Sequence, residues 1–350
     1  MRRFDYSFLK KCSVSADILR SVAAIHELKA KAEMRQADFA DVFSAMEAVA
    51  KVQSVKGSNA IEGIITTDKR IREIVNRDSA PLDHNEAEIA GYRDALNLVH
   101  NNYSEISFAV KDILELHKML LSKCGDETSG KFKSEDNFIM ETDKNGKKSI
   151  RFSPVPAKET AQAMEQLVLA YREARSDYEI NPLLLIPCVI LDFLCIHPFR
   201  DGNGRMSRLL SLLLLYKAGF DAGRYVSFEE QINKFKNYFY TSLQKSSERW
   251  HENENNYFPF IDNFIFTLRM SYYELDSRFA DLKDKKITKK HRIASFISGS
   301  LIPVSKQEIC EKLPDISVTT IEAELGKLVK SGQIEKIGNG RGTKYKGTKL

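Results

Sequence analysis

Apolar residues recur at helical spacing along most of this chain. Between residues 36 and 56 they fall at Phe39, Val42, Phe43, Met46, Val49, Ala50 and Val52, which is one face of a helix. Gly57 and Gly63 punctuate the end of that stretch. The pattern predicts further helices over 66–78 and 84–101. Another runs from a capping Ser107 through Leu121, with Ile113, Leu116, Met119 and Leu120 on its apolar side. The period then shortens. Asn137–Met140 and Ser149–Phe152 flank Asp143-Lys-Asn-Gly146, and Asn-Gly between two β-prone runs predicts a hairpin. Pro154 and Pro156 close it, and 157–175 returns to helix.

Asn181-Pro182 has the residues of a helix start, Asn as cap and Pro in the first turn. The helix that follows, Pro182 to Ile196, is apolar on nearly every face and should be central. Leu209 to Ala218 predicts a second such helix, so the loop His197–Gly204 joins the ends of two core helices. Helices at about 228–247 and 257–283 follow. Lys283–Lys290 reads as a polar linker. Beyond it come three short helices (291–298, 305–313, 317–331) and two strands, Gln333–Ile337 and Thr343–Lys346, around Gly338-Asn-Gly-Arg-Gly342. That is the order of a winged helix-turn-helix, with Ser317 opening the recognition helix. The fold class is mainly α, in three parts: an N-terminal helical region at 1–105, a core with its following helices at 106–284, and a winged helix at 285–350.

Hydrophobic residues are 43% and charged residues 29%, a globular balance that excludes disorder and collagen for the chain as a whole. Pro182–Ile196 is shorter than the ~18–20 residues needed to span a bilayer and contains Asp192; no membrane is expected. Cys12, Cys124, Cys188, Cys195 and Cys310 form no CxxC pair, and the N-terminus lacks the apolar core of a signal peptide. Reduced thiols in a cytoplasmic protein follow, without disulfides or zinc. Charge is unevenly placed. Residues 285–350 hold 14 Lys and Arg against 6 Asp and Glu, a net +8, which leaves −3 for the rest of a chain whose total is +5. DNA or an acidic protein surface is the partner this implies for the tail.

The loop carries the chemistry: His197-Pro-Phe-Arg-Asp201-Gly-Asn-Gly204-Arg205-Met-Ser-Arg208. N–H groups at a helix N-terminus bind anions, and glycine lets phosphate oxygens come close. Arg205 and Arg208 add positive charge on neighbouring rows of the helix. Asp201 is a hard oxygen ligand suited to Mg²⁺ beside phosphates. His197, at the loop's start, has the range of a general base at neutral pH. Base, metal ligand, anion cradle and cationic clamp are the parts needed for transfer at phosphorus.

At these residues the sequence resembles the Fic family: HPFRDGNGRMSR matches the motif HxFx(D/E)GNGRxxR at every specified position. Thr128–Lys133 and the hairpin at 137–153 stand where that family has its target-docking flap, with Phe138, Ile139, Met140, Ile150 and Phe152 as docking residues. Phe239-Tyr240 stands where it has an aromatic pair near the adenine. The resemblance implies an AMP transferase that uses ATP and Mg²⁺ to modify a Ser, Thr or Tyr hydroxyl of a target protein, itself included, with release of pyrophosphate. By position, His197 would deprotonate the hydroxyl and Asp201 would hold Mg²⁺. Gly202, Asn203 and Gly204 would form the anion hole, and Arg205 and Arg208 would hold the outer phosphates. Lys133 stands where Arg is common, and Phe239 where Tyr is common.

Ser58-Asn-Ala-Ile-Glu62-Gly63 resembles the same family's inhibitory motif, (S/T)xxxE(G/N). The resemblance implies that Glu62 pairs with Arg208 and denies that position to the γ-phosphate. Two other functions use the same residues: a DNA-binding regulator whose core senses nucleotide, and removal of AMP from a target.

Overall fold

The computed structural model describes residues 2–142, 146, 148–283, 289–300 and 303–348. Asp143–Asn145 of the predicted hairpin turn and residues 284–288 of the predicted linker lie outside the described residues. The helical periodicity is realised first as two long helices, α1 (Ala16–Asp38) and α2 (Ala40–Ile61), then α3 (Asp68–Arg77), α4 (His84–Asn102) and α5 (Val110–Leu120). A two-stranded antiparallel hairpin follows, β1 (Ile139–Thr142) and β2 (Lys148–Phe152). Then come α6 (Ala157–Ser176), α7 (Pro182–Ile196), α8 (Asn203–Lys217), α9 (Phe228–Lys234), α10 (Lys236–Ser247) and α11 (Phe258–Lys283).

Several boundaries differ from those the sequence predicts. The stretch read over 36–56 is divided at Phe39 between α1 and α2, and Gly57 lies inside α2 rather than at its end. Ser107 does not cap α5: its backbone N–H donates to Asp112 Oδ2 at 2.8 Å, and Ala109 takes the cap position without a side-chain bond. The cause lies at Phe108, which is buried edge-to-face against Tyr171 and draws the chain into the core first. The second core helix starts at Asn203 rather than Leu209, so Asn203 and Gly204 belong to its first turn. The helix predicted over 228–247 is two helices, because Phe235 leaves helical geometry at φ −113°, ψ 32°.

Asn181 caps α7 as predicted, accepting from Leu183 N–H at 2.9 Å. Every α7 residue from Leu183 to Ile196 is buried, as is α8 from Arg205 to Tyr216. These two packed helices make the rigid floor from which the loop 197–202 projects. Asp192, an acid within this apolar helix, is satisfied by Tyr6 Oη at 2.8 Å, Trp250 Nε1 at 2.6 Å and Tyr257 Oη at 2.9 Å. Burial pushes its carboxyl up, and Arg2 and those three donors oppose the rise. Arg2 also lies 4.5 Å over the Trp250 ring, so one buried anion ties the first residues of the chain to α7 and to the segment after α10.

The chain divides into two compact units. One comprises residues 1–29 and 49–273; the other comprises 30–48 and 274–350. We propose that the chain folds in three parts, residues 1–105, 106–284 and 285–350. The second unit contains α12 (Lys289–Gly299), β3 (Val304–Ser305), α13 (Lys306–Lys312), α14 (Val318–Lys330), β4 (Ile334–Ile337) and β5 (Lys344–Gly347). Its sheet has the order β3-β5-β4, antiparallel throughout. Ile293, Ile297, Ile309, Ile321, Leu325 and Leu328 lie in its core. Ser317 caps α14 as predicted, and Ser305 with Glu308 makes a capping box on α13. This is the helix and strand order of a winged helix, with the short β3 added to the predicted elements. Among the described residues no helix is long and apolar enough to cross a membrane.

Candidate active site

The loop after α7 begins with a strained residue. His197 ends the helix in the left-handed region, φ 51° and ψ 61°, which turns its side chain away from the helix axis. Its Nδ1 lies 3.3 Å from the Leu194 carbonyl. A carbonyl only accepts, so Nδ1 carries the proton and Nε2 keeps its lone pair. Burial lowers the imidazole to about 4, so it is neutral at physiological pH.

The loop is held shut by its own asparagine. Asn203 Oδ1 accepts from Phe199 N–H at 2.9 Å, and its Nδ2 donates to Phe199 O at 2.8 Å. Both halves of that amide are used on Phe199, so Asn203 shapes the turn, and Gly202 N–H donates to Asp201 Oδ1 at 2.6 Å. The N-terminal N–H groups of α8 have no intrahelical acceptor and carry the positive end of the helix dipole.

Two arginines at a helix start oppose that dipole, and each is paired here with a carboxylate from elsewhere. Arg208 is 3% exposed along its side chain and lies 2.8 Å from Glu62 Oε1. Its Nε donates to Ser58 Oγ at 2.8 Å and its Nη2 to Ser58 O at 3.0 Å. Arg205 lies 2.6 Å from Glu88 Oε2 and 3.3 Å from Asp201 Oδ2.

Glu62 reaches this position because of how α2 ends. Ile64 N–H bonds to Asn59 O at 3.0 Å and Gly63 N–H to Ala60 O at 3.1 Å, with Gly63 at φ +81°. This is a Schellman ending, which needs glycine at the left-handed position. It leaves Glu62 as the last half-turn of α2, with Lys236 Nζ donating to Ile61 O at 2.9 Å beside it. The carboxylate stands against the first turn of α8: a Cβ on Gly204 would lie 2.1 Å from Glu62 Oε1. Glu62 thus occupies the anion position of that helix start.

These groups surround one cavity of about 340 Å³. Of the residues singled out in the sequence, Glu62, Phe138, Ile139, Phe152, His197, Asp201–Arg205, Arg208, Phe239 and Tyr240 line it. Ser58 and Gly63 act from behind through Arg208 and the turn. Met140 and Ile150 do not line it; they face each other across the hairpin and are about half exposed, with Phe138.

Three contributors were not assigned from sequence. Asn137 Nδ2 donates to Phe199 O at 3.0 Å, and Asn137 Oδ1 accepts from Lys133 Nζ at 2.7 Å. Lys133 N–H also bonds Pro198 O at 2.9 Å, so the root of the hairpin is stapled to the loop, and burial lowers this lysine to about 8. His117 stacks on Phe199 with centroids 3.7 Å apart, takes Gly130 N–H on Nδ1 at 3.0 Å, and so donates from Nε2 to Asp201 O at 3.1 Å. Glu88, the third, is buried on α4. Their only sequence signal is a polar residue on a helix face, or before a strand, that is otherwise apolar.

Residues 107–215 match the Fic/DOC family. A protein adenylyltransferase Fic of Nematostella vectensis is 28% identical over 230 residues, covering 63% of this chain and 47% of that protein. Protein adenylyltransferase fic-1 of Caenorhabditis elegans is 27% identical over 204 residues, covering 56% of this chain and 35% of that protein. The chain therefore spans half or less of these relatives. A crystal structure of a Fic family protein from Desulfovibrio desulfuricans G20 has the same fold, with a TM-score of 0.62 at 20% identity over 96% of this chain and 97% of that one. The motif loop lies inside the segment, residues 107–215, that matches the Fic/DOC family.

Proposed function

We propose that this chain is a protein adenylyltransferase that moves AMP from ATP to a Ser, Thr or Tyr hydroxyl of a target protein, itself included, and that Glu62 restrains it. One observation carries the reading: a single cavity gathers a neutral imidazole, a helix N-terminus, two arginines, an exposed carboxylate and an aromatic wall. Its volume of about 340 Å³ falls within the range of small-molecule sites. The names of the relatives support the same reaction.

His197 Nε2 takes the proton of the attacking hydroxyl. The oxygen bonds to the α-phosphorus, the bond from that phosphorus to the bridging oxygen breaks, and pyrophosphate leaves with the electron pair. The α8 N–H groups receive the charge on the phosphate oxygens. Arg205 and Arg208 hold the outer phosphates, and Phe239 and Tyr240 take the base.

Among the described residues no three His, Cys, Asp or Glu cluster as a metal cage. Mg²⁺ needs none, because it takes one or two carboxylates and completes its shell with phosphate oxygens and water. Asp201, 65% exposed along its side chain and beside the cavity, fits that role. When bound, the ion neutralises charge on the α- and β-phosphates. Asp201→Ala is expected to abolish Mg²⁺-dependent turnover; an unchanged Mg²⁺ titration of transfer would exclude Asp201 as its ligand.

The test of the whole reading is labelled ATP given to Glu62→Gly protein, with sites read by mass spectrometry. Label on protein supports transfer; nucleotide bound without label supports a sensor. Incubation with a modified target reads removal.

The tail is proposed to engage DNA or an acidic protein surface. Glu322 and Glu324 on α14 pair with Lys306 and Lys327, while Lys330, Lys336, Lys344 and Lys346 are exposed. Binding of labelled duplex DNA by the full chain should weaken steeply with salt, since phosphate contacts release counterions. Salt-independent binding would contradict a phosphate-directed surface.

A further inference from the structure

Arg205 is 1% exposed and is shared between two carboxylates of different kinds. Glu88 is buried and close, with Oε2 at 2.6 Å, and its other oxygen lies 3.3 Å from His84 Nε2. Asp201 is mostly exposed and farther away, at 3.3 Å. The Nε and Nη1 of Arg205 and the Oε2 of Glu88 are buried without a hydrogen-bond partner, so Glu88 meets Arg205 as an ion pair by charge and distance rather than through an aligned hydrogen bond. Glu88 is fixed in place by α4, whose start is capped by Asp83 and braced by the Glu86–Arg70 pair at 2.7 Å.

We infer that Glu88 is a positioning residue that keeps Asp201 free to hold a divalent cation by taking up the charge of Arg205. The inference rests on the reading of Asp201 as the metal ligand. With Glu88 ionised, the trio Glu88, Arg205 and Asp201 sums to one negative charge, and that charge sits on the exposed member. Without it the sum is zero, and the arginine has only Asp201 to pair with. An internal cation then competes with the metal for the same carboxylate, and affinity falls with the charge of the ligand set. Glu88 is not among the residues lining the cavity, and it reaches that cavity through Arg205.

The experiment uses full-length protein, ADP and Mn²⁺. ADP has the α- and β-phosphates but lacks the γ-phosphate that Glu62 opposes. Electron paramagnetic resonance counts bound Mn²⁺, and calorimetry in EDTA measures ADP binding without metal. Glu88→Gln is expected to weaken Mn²⁺ binding about tenfold, the scale of lost outer-sphere support, with metal-free ADP affinity unchanged within about twofold. Glu88→Asp retains the charge and is expected to retain most of the Mn²⁺ affinity. Mn²⁺ bound equally well by Glu88→Gln and wild type would overturn the inference, as would equal losses in Glu88→Gln and Glu88→Asp. Asp201→Ala separates the two levels. If it keeps its Mn²⁺, the metal-ligand reading fails and the inference with it. If it loses Mn²⁺ while Glu88→Gln does not, the inference alone fails. Should Glu88→Gln not fold, Glu88→Ala removes the same charge, and Mn²⁺ bound equally well by it and wild type would overturn the inference.

Discussion

His197→Ala is expected to lower AMP transfer by ~10²–10⁴-fold, the usual contribution of a positioned base, while ATP still binds. On the proposed mechanism the side chain takes the proton being moved, while the phosphate contacts come from α8 and its arginines. The Leu194 carbonyl fixes the tautomer that leaves Nε2 basic. Burial sets the pH dependence. The imidazole titrates at about 4, so it is already neutral above pH 5. The base is lost only as pH falls toward 4, so kcat/KM should show no inflection near the ordinary histidine value of about 6.5. Single-turnover label transfer and ATP binding by calorimetry, run in parallel on both proteins, check the point. Full transfer by the alanine variant would remove His197 from the chemistry.

What could be read from sequence divides by chain distance. The loop 197–208 was legible as a cluster because its parts lie within twelve residues, and the cavity gathers most of them. The α7 cap at Asn181 and the α14 cap at Ser317 were legible for the same local reason. Glu88 was not. Between Ile89 and Ala87 it reads as one polar residue on a helix face, and nothing local says that an arginine over a hundred residues away will meet it. His117 likewise reads as a core histidine; its work is to hold the Asp201 carbonyl and the Gly130 amide at once. The boundary errors have tertiary causes too. Ser107 loses the cap of α5 because burying Phe108 outweighs a side-chain bond worth about 1 kcal/mol.

Glu62→Gly is expected to raise AMP transfer by ~10–100-fold. Glu62 and Arg208 are 146 residues apart in sequence and 2.8 Å apart in space. On the proposed reading the γ-phosphate of ATP needs the same guanidinium and the same helix start against which Glu62 stands. A charge-assisted bond of this type is worth about 1.5–3 kcal/mol, which sets the scale of the rise. Loss of charge and loss of the turn are separable here. Gly63 makes the Schellman ending and Lys236 caps Ile61, so the end of α2 does not depend on the Glu62 carboxylate. Glu62→Gln should therefore activate in part while the helix stays formed, as circular dichroism would record. Arg208 still has Ser58 Oγ and Ser58 O when Glu62 is gone, so it stays near the site and can take up a phosphate. Glu62→Gly combined with Arg208→Ala should return transfer to the basal level or below, since the released cation is then missing. If Glu62→Gly binds ATP and folds yet transfers AMP no faster than wild type, the pair is only the stitch that fastens α2 to α8.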